Sequence, residues 1–354
     1  MRGTPTATQR ASRQRVTRVT VAVLSAMVMV TGGLWWGASG GAVAEDQRAS
    51  APNESSPVPV PVSATLVADD DAVARRTAET WLAVPYATVS ASQTLDLYLP
   101  SSDGIETVPV VVLIHGGAFY GGDSIDVTEH AIALVQQGFA VAAVEYRLTP
   151  EAPFPAGAQD VKASVRWLRA NAATYGLDSD RFAAWGFSAG GWMATMLGVT
   201  GDEATIFDDP SLGNADQSSA VQTVVSWYGL VDFATEDAQA AQVGACVGTT
   251  PSHSDKYAFE SMWLGEPVTT SPYTELADLT NYIHADSDLP SWYLVHGDAD
   301  CVVPYGQTLQ LTHALTQAGA VVTMRILPGY QHGGEAFLAS QDQPTIGFLR
   351  AALL

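Results

Sequence analysis

Apolar positions along this chain fall into short runs separated by stretches of helical periodicity. The run 108–114 is apolar at nearly every position, which predicts a strand covered on both faces of a sheet. Residues 95–99 alternate apolar and polar side chains, as a half-buried strand does. Further strands are predicted at 139–144, 181–184, 221–228, 292–296 and 321–327.

Helices are predicted between these runs. Residues 160–173 place Val161, Val165 and Leu168 at helical spacing, and residues 127–137 fit one helix that ends at Gly138. Other helices are predicted at 192–197, 305–317 and 334–354. Strands that alternate with helices in this way predict an α/β fold with a mainly parallel, doubly wound sheet.

One long interval lacks a strong periodic pattern. About sixty residues, roughly 230–290, separate two predicted strands, which is long for a connection and predicts a small cap inserted before the strand at 292–296, as cover over a functional site. The alternative is a helical cap packed on its own small core, which would use most of its aromatic side chains. The large side chains concerned are Tyr257, Phe259, Met262, Trp263, Tyr273 and Tyr282.

The first 44 residues are typical of a signal peptide. They contain five arginines and no acid, then an apolar stretch at 19–29, and end in Ala42-Val43-Ala44. The alternative is an uncleaved membrane anchor, because the apolar character continues through Trp35 and Trp36. No cysteine lies in this leader, which excludes a lipoprotein anchor. We therefore expect a secreted protein with no stable membrane association once the leader is removed.

Composition and charge indicate the domain organisation and exclude some classes of binding partner. Residues 45–64, rich in proline, are predicted to form a disordered linker, which leaves 65–354 for the main folded domain. The chain carries −21, so removing the five arginines of the leader leaves −26. Such a surface repels nucleic acid and anionic membranes.

The two cysteines, Cys246 and Cys301, permit one disulfide in an exported protein; the alternative is two buried free thiols.

The pentapeptide Gly186-Phe187-Ser188-Ala189-Gly190 has the form G-x-S-x-G between a predicted strand and a predicted helix. That context is typical of a nucleophile elbow, in which the chain reverses so sharply that the serine adopts strained backbone geometry. The flanking glycines would remove collisions with neighbouring elements. Ser188 would then be exposed above the sheet.

Three more motifs follow predicted strands. They are His115-Gly116-Gly117-Ala118-Phe119, His296-Gly297-Asp298-Ala299-Asp300, and Gly329-Tyr330-Gln331-His332-Gly333-Gly334. The resulting order of serine, aspartate and histidine is the one expected of an α/β-hydrolase.

From about residue 95 onward the chain resembles the α/β-hydrolase superfamily. It is most similar to the H-G-G carboxylesterases that include bacterial feruloyl and acetylxylan esterases and hormone-sensitive-lipase-like enzymes. The segment from Glu145 to Glu151, followed by Phe154-Pro155-Ala156 and Asp160, also resembles those esterases. Two positions depart from the pattern: Phe187 replaces a frequent acid, and Ala118 replaces the third glycine of the lipase-like branch. The second departure favours the feruloyl and acetylxylan branch.

Chemistry and this resemblance assign roles. Ser188 is the predicted nucleophile, His332 its base and Asp300 the acid that orients the imidazole. Asp298 is the alternative acid, but the family pattern H-G-x-x-D favours Asp300. Backbone amides of Gly116, Gly117 and Ala189 are the predicted oxyanion hole. The other histidines are predicted to be packed, solvated or structural; they are His115, His130, His253, His284, His296 and His313.

The sequence therefore predicts a secreted serine carboxylesterase. Its substrates would be small-molecule esters, or acetyl and feruloyl esters on plant polysaccharide. A peptidase or amidase of the same fold and a non-catalytic binding module are the alternatives. No H-E-x-x-H and no cysteine pair with ligand spacing occurs, so neither a metal nor another cofactor is expected. The oligomeric state stays open.

Overall fold

The computed structural model describes residues 62–63, 79–101, 107–246, 252–285 and 288–354. The predicted leader and almost all of the predicted linker lie outside these residues. The strands are β1 Val62–Ser63, β2 Glu79–Pro85, β3 Thr94–Leu99, β4 Val108–Ile114, β5 Ala140–Val144, β6 Leu177–Phe187, β7 Thr223–Trp227, β8 Ser291–Gly297 and β9 Val322–Leu327. The helices are α1 Thr128–Gln136, α2 Ala156–Ala170, α3 Ala172–Tyr175, α4 Ala189–Thr200, α5 Glu236–Ala240, α6 Phe259–Leu264, α7 Thr274–Ala277, α8 Gly306–Gln317 and α9 Glu335–Leu353.

The described strands form one mixed sheet in the order β1-β2-β3-β5-β4-β6-β7-β8-β9. The pairs β1/β2, β2/β3 and β3/β5 are antiparallel. All pairs from β5 through β9 are parallel. The predicted α/β-hydrolase fold with a mainly parallel sheet is confirmed.

The central strand β4 shows why its sequence is apolar without interruption. All seven of its residues are buried. Val110, Val112 and Ile114 belong to one hydrophobic core, whereas Val111 and Leu113 belong to a second core. Because successive side chains of a strand point to opposite faces, a strand covered by helices on both faces needs apolar residues at every position.

Two strands at the antiparallel edge were not predicted. Strand β2 carries polar and exposed residues, so its sequence has no clean alternation. Strand β1 corrects the linker prediction at its end, because Val62 and Ser63 pair with Thr80 and Glu79. Prolines at 57, 59 and 61 have no backbone N–H. The chain can therefore donate consecutive backbone hydrogen bonds only after residue 61, where this pairing begins.

The predicted cap contains short helices, and the described residues between β7 and β8 include no strand. These are α5, α6 and α7, with 3₁₀ turns at Phe233–Thr235 and Leu279–Tyr282. Trp263 is fully buried and stacks on Phe119, so part of this segment packs into the main core. Tyr257, Phe259 and Tyr273 are exposed. Trp263 is therefore part of the main core and not of a separate core of the cap, whereas these three side chains lie at the surface.

Among the residues described, no helix combines the length and apolar character needed to cross a bilayer.

A buried carboxylate holds the chain after β5 in place. Asp160 on α2 is fully buried and accepts hydrogen bonds from Arg147 Nε at 2.8 Å, Arg147 Nη2 at 2.7 Å and the Arg147 backbone amide at 2.9 Å. Gln93 Nε2, just before β3, donates a further bond at 2.7 Å. These bonds join three separate parts of the fold, which explains the Arg147 and Asp160 positions in the family-like segment.

Replacing Asp160 with Asn should lower the free energy of unfolding by about 3–5 kcal/mol, because it leaves the largely buried Arg147 guanidinium without its counter-charge. The matched control is Asp178→Asn, which breaks the more exposed pair with Arg181 at 2.8 Å and should cost less than about 1 kcal/mol. Urea unfolding of both variants measures the difference. Equal losses would contradict a special role for the Asp160 cluster.

Candidate active site

The four motifs meet at one edge of the sheet. Strands β4, β6, β8 and β9 are parallel, and each motif begins at or just beyond the carboxyl end of one of them. Carboxyl ends of parallel strands share an edge, where α/β proteins commonly bind their ligands. The fold alone therefore brings together residues that lie far apart in the sequence.

Ser188 occupies the sharp turn between β6 and α4. Its φ of 54° and ψ of −120° are unusual for a residue with a side chain. A methyl group at Gly186 would collide with the Gly190 carbonyl, and one at Gly190 would collide with the Ile114 carbonyl. Strain of this kind persists only where the surroundings enforce it. The two glycines therefore permit the close packing that holds Ser188 in this conformation.

The structure brings Ser188, His332 and Asp300 into one hydrogen-bonded chain. His332 Nε2 lies 2.9 Å from Ser188 Oγ, and His332 Nδ1 lies 2.7 Å from Asp300 Oδ2. An ionised carboxylate only accepts hydrogen bonds, so this pairing assigns the imidazole proton to Nδ1 and leaves Nε2 free to accept from the serine hydroxyl. The arrangement can activate the hydroxyl as a nucleophile.

Asp300 is fully buried and satisfied on both oxygens. Its Oδ1 accepts bonds from the backbone amides of Val302 at 2.8 Å and Val303 at 3.0 Å. Its Oδ2 lies 3.2 Å from His296 Nε2 in addition to His332. Burial alone would raise the pKa of Asp300, but the hydrogen bonds from His296 and His332 outweigh it and hold that pKa well below its ordinary value. The carboxylate therefore stays ionised at neutral and mildly acidic pH.

The alternative acid, Asp298, has a different position. Its Oδ1 accepts the Gly329 backbone amide at 2.6 Å and so ties the β8 loop to the loop that carries His332. Beside it, Cys246 and Cys301 form a disulfide with their Cα atoms 5.3 Å apart. The bridge joins the cap to the residue that follows Asp300, as the sequence suggested for a paired state.

The H-G-G turn lies directly against Ser188. A methyl group at Gly116 would lie 3.2 Å from Ser188 Cβ. Gly117 and Ala118 both have left-handed φ values, 109° and 56°. Ala118 thus keeps the backbone conformation that favours the glycine it replaces. Ala189 is the first residue of α4, where backbone amides lack partners within the helix. Gly116 and Ala189 therefore lie next to the serine, and the role of the three predicted oxyanion donors stays a prediction.

Phe187, which stands where the family pattern often has an acid, packs against other aromatic rings. Its ring packs at 4.8 Å from His130, 5.3 Å from Trp185 and 5.4 Å from Trp227. A carboxylate at this place would be buried among aromatic rings. His130 itself is packed in this cluster, and His115 is fully buried with its Nδ1 2.7 Å from the Gly116 carbonyl.

Two residues lie next to the triad although the sequence did not predict a contact with it. His296 was expected to be structural, yet besides bonding Thr308 and the Val303 carbonyl it contacts Asp300. The Tyr228 ring lies 4.6 Å from the His332 ring and limits where the imidazole can lie. Tyr228 follows β7 directly, so its position at a strand's carboxyl end was the available signal.

Residues 95–315 match the family model BD-FAE. Among curated proteins, the chain is 26% identical over 252 residues to Esterase LipQ of Mycobacterium tuberculosis, covering 70% of this chain and 56% of LipQ. It is 27% identical over 246 residues to an ethyl acetate hydrolase of Pseudomonas putida, covering 67% of this chain and 69% of that protein. The chain thus spans less than two thirds of the length of LipQ.

Solved structures are also similar to this chain. A truncated carbohydrate esterase from gut microbiota is 31% identical, with a TM-score of 0.66, over 77% of this chain and 95% of that one. The bifunctional GH43-CE protein of Bacteroides eggerthii is 29% identical, with a TM-score of 0.68, over 78% of this chain and 35% of that one.

The matched segment includes β3 to α8, and with them Ser188, Asp300 and the H-G-G turn. His332 lies beyond this segment, but the structure places it against Ser188. The chain belongs to the BD-FAE family of the α/β-hydrolase superfamily.

Proposed function

We propose that this protein is a serine carboxylesterase that forms an acyl-enzyme on Ser188. The observation that carries the proposal is the continuous hydrogen-bonded chain from Ser188 Oγ through His332 to the buried carboxylate of Asp300. The esterases among the similar proteins support the same reaction class.

Each group has a defined step in this reaction. Ser188 Oγ attacks the acyl carbon while His332 Nε2 takes its proton, and Asp300 stabilises the imidazolium that results. Amides of Gly116, Gly117 and Ala189 donate to the oxyanion, where losing one donor costs roughly 3 kcal/mol. His332 then gives the proton to the departing alcohol oxygen. Water then attacks the acyl carbon while His332 takes its proton, and His332 returns that proton to Ser188 Oγ as the bond from the acyl carbon to this oxygen breaks and the carboxylic acid leaves.

Aromatic side chains fill the core behind the elbow. Phe119 follows the H-G-G turn, Trp192 lies on the helix after Ser188, and both pack on Trp263. All three side chains are essentially buried. We propose acetyl or feruloyl esters on carbohydrate as substrates, which the similarity to a carbohydrate esterase supports.

A panel of p-nitrophenyl esters from acetyl to palmitoyl, with methyl ferulate and acetylated xylan, tests this function. We expect kcat/KM to fall with acyl length and Ser188→Ala to lose at least about 10⁴-fold in kcat, because the nucleophile is gone. Circular dichroism controls for folding. A folded Ser188→Ala variant with wild-type rates would mean that another nucleophile is responsible; no turnover by the wild type would favour a binding module.

Asp300→Asn and Asp298→Asn separate the two candidate acids. The first should lower kcat by about 10³–10⁴-fold, because an amide can hold the imidazole in the wrong tautomer. The second removes the negative charge but keeps a side-chain oxygen that can accept from the Gly329 amide, so it should lower kcat by less than about tenfold. Steady-state kinetics on p-nitrophenyl acetate measures both. The reverse ranking would make Asp298 the acid.

We also propose that the protein is exported and that its leader is removed after Ala44. The basic and apolar leader supports this, and a disulfide persists in an oxidising compartment outside the cytoplasm. Expression in a bacterial host followed by mass spectrometry of the extracellular fraction should find a chain that begins at Glu45. Retention of the whole chain in the membrane fraction would favour an uncleaved anchor.

A further inference from the structure

A second group of ionisable side chains lies in the cap. It consists of Glu236, the first residue of α5, His253 in the loop that follows, and Glu260 on α6; we call it the Glu–His–Glu cluster. One donor atom from each residue lies within 4.8 Å of the other two. His253 Nδ1 is 3.0 Å from Glu236 Oε2 and 3.3 Å from Glu260 Oε1.

Burial makes this cluster unusual. Glu236 is fully buried, and His253 and Glu260 are each at most 9% exposed. Within the described part of the chain, neither carboxylate oxygen of Glu236 accepts a hydrogen bond of acceptable geometry. Only the contact from His253 to Glu260 has the direction of a hydrogen bond. A buried carboxylate aimed at its neighbours without a donor costs several kcal/mol.

The charges within the cluster do not balance. Two carboxylates face one imidazole, so even a protonated His253 compensates only one of them. The site therefore attracts positive charge, as a proton or as a cation.

Two of the three spacings between donor atoms fit a bound metal ion. Nitrogen and oxygen ligands lie about 2.0–2.2 Å from Zn²⁺, which places adjacent ligand atoms about 3.0–3.5 Å apart. The two contacts of His253 Nδ1 fall at 3.0 Å and 3.3 Å. An imidazole ligand favours a transition-metal ion such as Zn²⁺ over Ca²⁺ or Mg²⁺, which prefer oxygen ligands alone.

We propose that Glu236, His253 and Glu260 bind one divalent transition-metal cation, of the Zn²⁺ type, that fastens the cap. A doubly charged ion neutralises both carboxylates and gives the oxygens of Glu236 a partner. The sequence positions 236, 253 and 260 match no contiguous ligand motif, so a search for such motifs finds nothing here.

The surrounding contacts indicate a structural role beside the active site. Asp237, next to Glu236, accepts bonds from Ser252 Oγ and from the His253 backbone amide, both at 2.7 Å, so the histidine loop is already held in place. On α6, the exposed Phe259 ring lies 5.7 Å from Tyr120, which follows the H-G-G turn. A cation that joins α5, this loop and α6 would therefore hold the cap against the edge of the active site.

Metal binding to the full chain tests the proposal. The protein is stripped with EDTA, dialysed, and titrated with Zn²⁺ by calorimetry. We expect one equivalent to bind to this site, and Tm to rise by about 5 °C or more at a hundredfold excess over Kd. His253→Gln and Glu236→Gln should weaken binding at least about tenfold. Matched controls are His313→Gln and Glu275→Gln, both at exposed positions outside the cluster, which should bind as the wild type does.

A wild-type measurement covers the case in which a cluster variant fails to fold. Co²⁺ added to the stripped wild-type protein should give a visible spectrum of a site with mixed nitrogen and oxygen ligands, and Zn²⁺ should displace it. Absence of stoichiometric binding, a response to Ca²⁺ but not to Zn²⁺, or equal loss of binding in His313→Gln would overturn the proposal. Because the readouts are binding and Tm, failure here would leave the esterase proposal untouched.

Discussion

The buried carboxylate of Asp300 is the constraint on which the site depends. A charge in the interior must be met by hydrogen bonds from several directions, and here two backbone amides and two histidines supply them. Meeting that demand fixes the shape of the loop after β8 and the orientation of His332. The disulfide at Cys301 and the Asp298 bond to Gly329 hold the same loop from outside. The position of His332 is therefore fixed by contacts that come from the ends of two strands and from the cap.

The central strands were predictable because they are buried on both faces. Strand β4 has the predicted bounds, and β5, β7 and β8 differ by one or two residues at their ends, since burial on two sides imposes a continuous apolar run. Strand β2 could not be found in this way. It lies near the open edge of the sheet, where one side is exposed and polar residues are tolerated.

The candidate site also has residues that the sequence predicts and residues that it does not. Ser188, Asp300 and His332 each stand in a motif beside a strand end, so their convergence follows from the parallel sheet. His296 and Tyr228 contact the triad through side-chain packing across strands, which periodicity does not encode. The Glu–His–Glu cluster is harder still, because its three residues come from two short helices and a loop whose relative placement depends on the whole cap.

The strained serine and the buried acid place opposite demands on the protein. Ser188 must stay accessible in a conformation that few residues with side chains adopt, whereas Asp300 must be sealed from water to stay bound to its histidines. Close packing at Gly186 and Gly190, beneath the turn, holds Ser188 in this conformation. The cap meets the second demand, because its Cys246 is bonded to the neighbour of Asp300. A cap fastened at that point can carry exposed aromatic side chains without disturbing the contacts of Asp300.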